Sequence, residues 1–556
     1  MSTAKKEITK NRMWIRTLGT TVLSLAALCT ATVAQAQSSP ATCHDKPLDI
    51  GSNRQVFIDG RFLSRTHNVT LRTHAPVKTR EKTIDHDQPW EVGGIGPYSN
   101  VIKEGDTYRM WYQVMASVQW HVDREAGAIC YAESKDGIHW EKPNLGLVEF
   151  NGSTDNNIVL GHGAGGVRIG QDGGLVFIDP KAPADQKYRM LINHKPTGEG
   201  LHIFSSPDGI HWKLTHPNVV TYRPQERGHH LDSQNVIFYD DRIDKYVFYG
   251  RKNLNQRGSQ GRSIARGESE TLTGFPFLQE MPSVIYPDEF GPTMGQTQLV
   301  DYYKSAALKY PWAQDAYYMF PEAYYHYVDA KVQGLPGGLP TNAGPLDSQF
   351  AASRDGIVWE RYDRRPFVSL GQKGEFDWAS ARVIHGLVPS VDDRYMYVYY
   401  RASDWLHGWD RNPENKRMLT EAGLDADQNI AVISRVVSRK DGFVSVRGGY
   451  AGGSFTTPVL LFDGNELVLN IDTSATGFAR VGIIRPDTGA IAGYDERGTE
   501  KSGFGVQYCD LIHTANNTNY VVKWSGDSDV SALAGKPVRL QFELYNCDLY
   551  AFQFRK

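Results

Sequence analysis

Ser-x-Asp-Gly-x-x-Trp occurs three times in this chain, as Ser134-Lys135-Asp136-Gly137-Ile138-His139-Trp140, Ser206-Pro207-Asp208-Gly209-Ile210-His211-Trp212 and Ser353-Arg354-Asp355-Gly356-Ile357-Val358-Trp359. A further copy without the Trp stands at Ser438-Arg439-Lys440-Asp441-Gly442-Phe443. Asp-Gly between apolar stretches signals a hairpin, because Gly accepts positive φ and Asp takes backbone N–H groups of its own turn. A turn that recurs along a chain means a repeated β-unit, and that repeat constrains the fold more than any single segment does.

The repeat extends to a preceding hairpin that ends in a Tyr-rich strand. Asn100-Val101-Ile102 leads to Tyr108-Arg109-Met110-Trp111-Tyr112, and Leu175-Val176-Phe177-Ile178 to Tyr188-Arg189-Met190-Leu191-Ile192. Asn235-Val236-Ile237-Phe238-Tyr239 leads to Tyr246-Val247-Phe248-Tyr249, Ser305-Ala306-Ala307-Leu308 to Tyr317-Tyr318-Met319-Phe320, and Gly386-Leu387-Val388 to Tyr395-Met396-Tyr397-Val398-Tyr399. Two hairpins per copy make a four-stranded sheet, and five such sheets arranged radially make a propeller. From Gly448 the pattern changes to short alternating strands, such as Val538-Arg539-Leu540-Gln541-Phe542-Glu543-Leu544. The expected fold is all-β: a five-bladed β-propeller over 85–447 followed by a C-terminal β-sandwich over 448–556. Residues 37–84 read as a linker and lead-in, with Gln55-Val56-Phe57-Ile58-Asp59 a strand entering the first repeat.

The first 36 residues read as a signal peptide. Lys5, Lys6, Lys10, Arg12 and Arg16 precede an apolar stretch over 22–33, and Ala34-Gln35-Ala36 supplies small residues for cleavage. The stretch is too short for an ordinary membrane span, so a secreted or periplasmic protein is expected. Cys29 leaves with this segment; Cys509 and Cys547 are either a disulfide or two buried thiols. A net charge of −3 supplies no basic field for nucleic acid. Aromatic residues are 11% of the chain, with 29 Tyr and 12 Trp, a composition suited to packing between sheets and to stacking on sugar rings.

These blades, this turn and the sandwich together resemble the furanosidase-type glycoside hydrolases of families 32, 43 and 68, as an outlying member. The resemblance covers nearly the whole mature chain as architecture, but the Trp-Met-Asn-Asp-Pro-Asn-Gly, Arg-Asp-Pro and Glu-Cys-Pro motifs of those families are absent. It implies a carbohydrate substrate, no cofactor beyond room for a structural Ca²⁺, and catalytic carboxyl groups at the mouths of the inner strands of the first three blades. On this chain those positions are Glu91, Asp172 and Asp232.

In a propeller the Ser-x-Asp-Gly-x-x-Trp turns fall on the bottom face, so their Asp residues are expected to serve the turn and their Trp to pack between blades. The ligand funnel then opens on the other face. Five residues beyond each aligned Tyr stand Gln113, Asn193, Arg251, Glu322 and Tyr400, all polar or phenolic, with His194, His326 and Arg401 just after. Hydrolysis of a glycosidic bond needs one carboxylic acid and one carboxylate. Besides the three implied positions, Glu322 in Phe320-Pro321-Glu322-Ala323-Tyr324 is a candidate acid, its aromatic setting expected to favour the protonated form. Trp90 beside Glu91, His230 beside Asp232, and Gln113, His194, Arg251, His326, Asp377 and Arg401 are candidate substrate contacts. Arg251 and Arg401 suit a carboxylate or sulfate. His229 and His230 are adjacent, point to opposite sides of a strand, and so do not make a transition-metal site.

The leading expectation is an exo-acting glycosidase on a plant or algal glycan, with the segments 333–345 and 406–428 closing one side of the funnel. The alternatives are a non-catalytic carbohydrate-binding propeller, a sialidase-like enzyme with three converging Arg and a Tyr nucleophile, and a phosphorylase with a basic phosphate pocket.

Overall fold

The computed structural model describes residues 46–115, 127–161, 173–193, 200–223, 231–254, 261–288, 300–325, 344–407, 431–490, 492 and 503–556. Among these residues the regular elements are strands and short 3-10 turns, so the protein is all-β. The described residues all belong to one compact unit.

Three sheets follow the repeats closely. The first runs Asn100–Glu104, Thr107–Met115, Gly127–Ser134, Ile158–Gly161, each strand antiparallel to its chain neighbour. The second runs Gly173–Ile178, Tyr188–Asn193, Leu201–Ser206, Lys213–Val220. The third runs Val236–Asp240, Lys245–Asn253, Arg262–Ser269, Ser283–Ile285. Their second and third strands are buried almost throughout, as suits strands packed on both faces by other sheets.

The fourth repeat departs from the plain hairpin. Leu308–Lys309 pairs with Tyr317–Met319, but Asp301–Tyr302 skips ahead to pair with Glu322–Tyr324. Pro321 cannot donate to a ladder, and Ala306 sits at φ 43, so both strands break at this level. The broken hairpin continues through Leu346–Ser348 into Ser380–Val383, Tyr395–Ser403 and Ala431–Arg439. The outermost strand of that sheet is Val77–Lys78, from the N-terminal side of the first repeat.

Segments near the starts of the sheets are stitched to each other. Asn100 exchanges two hydrogen bonds with the Val176 backbone at 2.9 and 3.0 Å. Gln234 Nε2 donates to Ser99 O at 2.9 Å, and Ser233 Oγ to Tyr303 O at 2.9 Å. His385 Nε2 lies 3.0 Å from Ala307 O, while its backbone bonds Ser99 and Val101.

The Asp-Gly turns behave as expected. Asp136 Oδ1 accepts from the backbone of Ile138 and His139, each at 2.8 Å, and Asp208 and Asp355 repeat the pattern. Despite some burial, these bonds hold all three carboxyls below their ordinary range. Each turn is also gripped from the preceding sheet: Trp111 Nε1 donates to Gly209 O at 2.7 Å, and Tyr249 OH to Gly356 O at 2.7 Å. The fourth copy differs, with Asp441 rather than its Gly at positive φ and its buried carboxylate accepting from Arg54 Nε and Tyr310 OH, each at 2.5 Å.

The N-terminal strands lie elsewhere than the sequence suggests. Gln55–Val56, expected to enter the first repeat, pairs with Cys547–Arg555. Val69–Thr73 pairs with Val444–Gly448, Arg65–His67 with Gly453–Thr456, and Leu48–Gly51 runs parallel to Leu460–Phe462. Together with Glu466–Asp472, Phe478–Ile484 and Arg539–Tyr545, these strands enclose a core that includes Phe57, Phe62, Phe455, Trp524, Phe542 and Phe552. Cys509 and Cys547 are separate buried thiols in this region, not a disulfide.

Candidate active site

Glu322 begins its strand straight after Pro321 and is fully buried. Its Oε1 lies 2.7 Å from Arg382 Nη2 and its Oε2 3.6 Å from Lys304 Nζ. Arg382 comes from Ser380–Val383, and Lys304 from the irregular stretch that replaces the inner strand of the fourth repeat. Lys304 also donates to Pro97 O at 3.0 Å. Burial pulls its ammonium down to about 7, with Glu322 opposing and Arg382 adding to the fall. The sequence suggested an apolar setting that favours a proton donor; the structure instead places the Glu322 carboxylate between two cations.

The same arginine borders a tyrosine. The guanidinium carbons of Arg251, Arg262 and Arg382 lie 5.1, 5.1 and 5.5 Å from the Tyr303 ring centroid. Arg251 Nη1 donates to Asp232 O at 2.7 Å and lies 3.8 Å from Asp232 Oδ2. Arg262 Nη1 donates to Asp301 Oδ2 at 2.6 Å, and Asp301 Oδ1 accepts from the Gly261 and Arg262 backbone. The Asp232 side chain is 32% exposed, whereas those of Glu322 and Asp301 are at 0%. Arg401 opposes Arg382 in the ladder, so the two share a face; its Nε donates to Ile95 O at 3.2 Å.

A further carboxyl lies behind this group. Asp347 opposes Ala323 while Glu322 opposes Ser348, so Asp347 and Glu322 point to opposite faces of one hairpin. Burial pushes Asp347 up to about 7, and the neighbouring Glu322 charge adds to the rise.

Other sequence candidates have different partners. Glu91 is fully buried, its Oε1 accepting from Tyr112 OH at 2.8 Å and its Oε2 from Lys142 Nζ at 2.7 Å. Burial raises its carboxyl against the pull of Lys142. Trp90, expected as a substrate contact, is a core residue that donates to Asn157 Oδ1 at 2.9 Å and packs edge-on to Phe150. Gln113 is buried behind Gly96, where an added Cβ would come within 2.5 Å of its amide oxygen. Asp377 is held by Lys78 at 2.6 Å and by Tyr400 OH at 2.9 Å. Tyr400 neighbours Arg401 in the strand and therefore faces away from Arg382. Asp172, His194, His230 and His326 lie outside the described residues.

Sequence reasoning missed Arg262, Asp301, Tyr303, Lys304, Asp347 and Arg382. One signal existed: Asp301-Tyr302-Tyr303-Lys304-Ser305 and Ala379-Ser380-Ala381-Arg382-Val383 place charges where a buried inner strand should be apolar. Among the described residues, no three His, Cys, Asp or Glu side chains gather as a metal site, and no helix is long and apolar enough to cross a membrane.

No family model matches this sequence. The uncharacterized protein Rv1502 of Mycobacterium tuberculosis is 30% identical over 176 residues, which are 32% of this chain and 51% of that protein. The chain thus spans about half the length of the curated relative it matches. Solved structures similar to it include glycoside hydrolases. The catalytic domain of the Coprinopsis cinerea GH62 alpha-L-arabinofuranosidase shares 9% identity over 66% of this chain and 98% of that one, with a TM-score of 0.39. The Bombyx mori GH32 beta-fructofuranosidase BmSUC1 shares 8% over 90% and 95%, with a TM-score of 0.36. An N-acetylgalactosamine deacetylase from F. plautii shares 14% over 67% and 96%, with a TM-score of 0.37.

Proposed function

We infer that this protein is a secreted glycoside hydrolase, exo-acting on a plant or algal glycan. Its sheets form a five-bladed propeller, and the N-terminal and C-terminal strands together form a sandwich. The cross-links from Asn100, Ser233 and His385, which join successive repeats, and from Gln234, which joins the third repeat to the first, support the radial reading. The observation that carries the activity is the pairing of unlike carboxyl groups around Tyr303. Glu322 is buried between Arg382 and Lys304, whereas Asp232 is partly exposed beside Arg251. Bond cleavage at an anomeric carbon asks for such a difference, one group staying ionised and the other trading a proton with the leaving oxygen or with water.

The test is a broad panel of aryl glycosides and oligosaccharides given to the wild type, D232N and E322Q, with thermal melts to establish folding. Turnover of at least one substrate, reduced by roughly 10²-fold or more in a folded D232N protein, is expected. Turnover of nothing in the panel moves the assignment to a non-catalytic carbohydrate-binding propeller.

One observation favours a second reading. A sialidase-like enzyme requires three Arg converging on one point and a Tyr nucleophile, and three guanidiniums lie 5.1–5.5 Å from the Tyr303 ring centroid. It predicts a covalent adduct on a tyrosine, trapped by a fluorinated sugar and located by peptide mass spectrometry.

A further inference from the structure

We propose that the glycan residue bound at this site carries a negative charge, as a carboxylate or a sulfate. The inference rests on the reading of the Tyr303 surroundings as the glycan site and adds the chemical class of its substrate. Three guanidiniums from three different strands, Lys245–Asn253, Arg262–Ser269 and Ser380–Val383, are brought within 5.1–5.5 Å of one ring centroid. All are largely withdrawn from water, with side-chain exposures of 1% for Arg251, 12% for Arg262 and 5% for Arg382. Like charges gathered in a medium of low dielectric repel more strongly than in water. A fold that gathers them places a strongly anion-favouring ligand position at that point.

The described carboxylate contacts are divided rather than shared. Arg251 is near Asp232, Arg262 bonds Asp301 and Arg382 meets Glu322. Lys304 and Arg401 add positive charge near Arg382, and Arg382 and Arg401 both contribute to the depression of the Lys304 ammonium. The donor chemistry points the same way. Guanidinium and ammonium groups only donate, and Arg251, Arg262, Arg382, Lys304 and Arg401 outnumber the carboxylates Asp232, Asp301 and Glu322 beside them, so an added acceptor suits the group better than a neutral hydroxyl that must also donate. A carboxylate or sulfate only accepts, and its paired oxygens fit the guanidinium fork.

The experiment is calorimetric binding to the full-length protein, with each acidic probe matched to its neutral counterpart. Uronate oligosaccharides are compared with their carboxyl-reduced forms, and sulfated galactan oligosaccharides with their desulfated forms. At least about tenfold tighter binding of one acidic series is expected, and the series that shows it identifies the group. In R251K, which keeps the charge but loses the fork, that ratio should fall severalfold while the melting temperature shows a folded protein. Equal or tighter binding of the neutral forms overturns the inference, as does failure of every acidic probe to bind. Binding without cleavage of an acidic probe would leave this inference standing and remove the hydrolase; cleavage of neutral and charged forms alike would do the reverse.

Discussion

The Tyr399 hydroxyl donates to the Gly137 carbonyl at 2.5 Å, across 262 residues of chain. It joins the last repeat to the first, and Trp140 from the same turn packs edge-on to the Tyr399 ring at 5.7 Å. Trp111 on Gly209 and Tyr249 on Gly356 are the same device between other neighbours. The glycine is needed twice at each place, for a positive φ of 72, 81 or 72° and because an aromatic ring occupies the space of a Cβ.

G137A should therefore cost more than an alanine at an ordinary turn glycine. Its Cβ would lie 3.0 Å from both Tyr397 and the Tyr399 hydroxyl, whereas Gly105 has a similar φ and nothing within 4 Å. We expect a loss of roughly 2–4 kcal/mol for G137A and about 1–2 kcal/mol for G105A, read from urea midpoints. Equal losses would show that the contact with Tyr399 is unimportant.

The clamp on Glu322 should be strongly coupled. E322A leaves Arg382 and Lys304 buried without their carboxylate, and R382A leaves the carboxylate with Lys304 alone. Each single change should cost about 3–5 kcal/mol, and the double change less than the sum by more than about 1 kcal/mol. Additivity in a denaturation cycle would separate the two residues.

Asp347 should make the protein less stable as pH rises through neutrality. Its carboxyl titrates near 7 in the folded state against 3.8 unfolded, chiefly because burial disfavours the charge. The folded chain thus holds the extra proton between these values. Its contribution is full below about 3.8 and lost on passing 7. D347N should flatten that part of the melting-temperature profile and gain roughly 1–4 kcal/mol over wild type at pH 8 relative to pH 4. A profile with the same slope in both proteins would refute the assignment.

Truncation to residue 85 should abolish folding. It removes Val69–Thr73 and Arg65–His67 from the sheets around Phe455 and Phe542, and Val77–Lys78 from Ala431–Arg439. A chain starting at residue 46 should remain soluble and melt cooperatively, while one starting at 85 should aggregate or bind a hydrophobic dye; cooperative melting of the shorter chain would contradict this.

Local chemistry carried much of this architecture in the sequence. Asp136-Gly137, Asp208-Gly209 and Asp355-Gly356 specify their turns with their own atoms, and the Tyr-rich strands beside them alternate and bury as their composition demands. Charge and count were enough to bring Glu322, Arg251 and Arg401 forward, because each stands at or just past a fixed distance from an aligned tyrosine, whereas Asp232 came forward through the family resemblance. Periodicity says which side of a strand a residue takes, but not what lies opposite. Only tertiary structure decided that Glu91 meets Lys142 and Tyr112, that Asp377 meets Lys78, and that Arg262 and Arg382 meet at Tyr303. The same holds for Gln55–Val56, whose partner lies some five hundred residues further on, at Phe552 and Ala551. A turn is determined by bonds within a few residues. A gathered charge or a distant strand partner is determined by loop closure and by the burial gained when the chain packs, and these have no local signature.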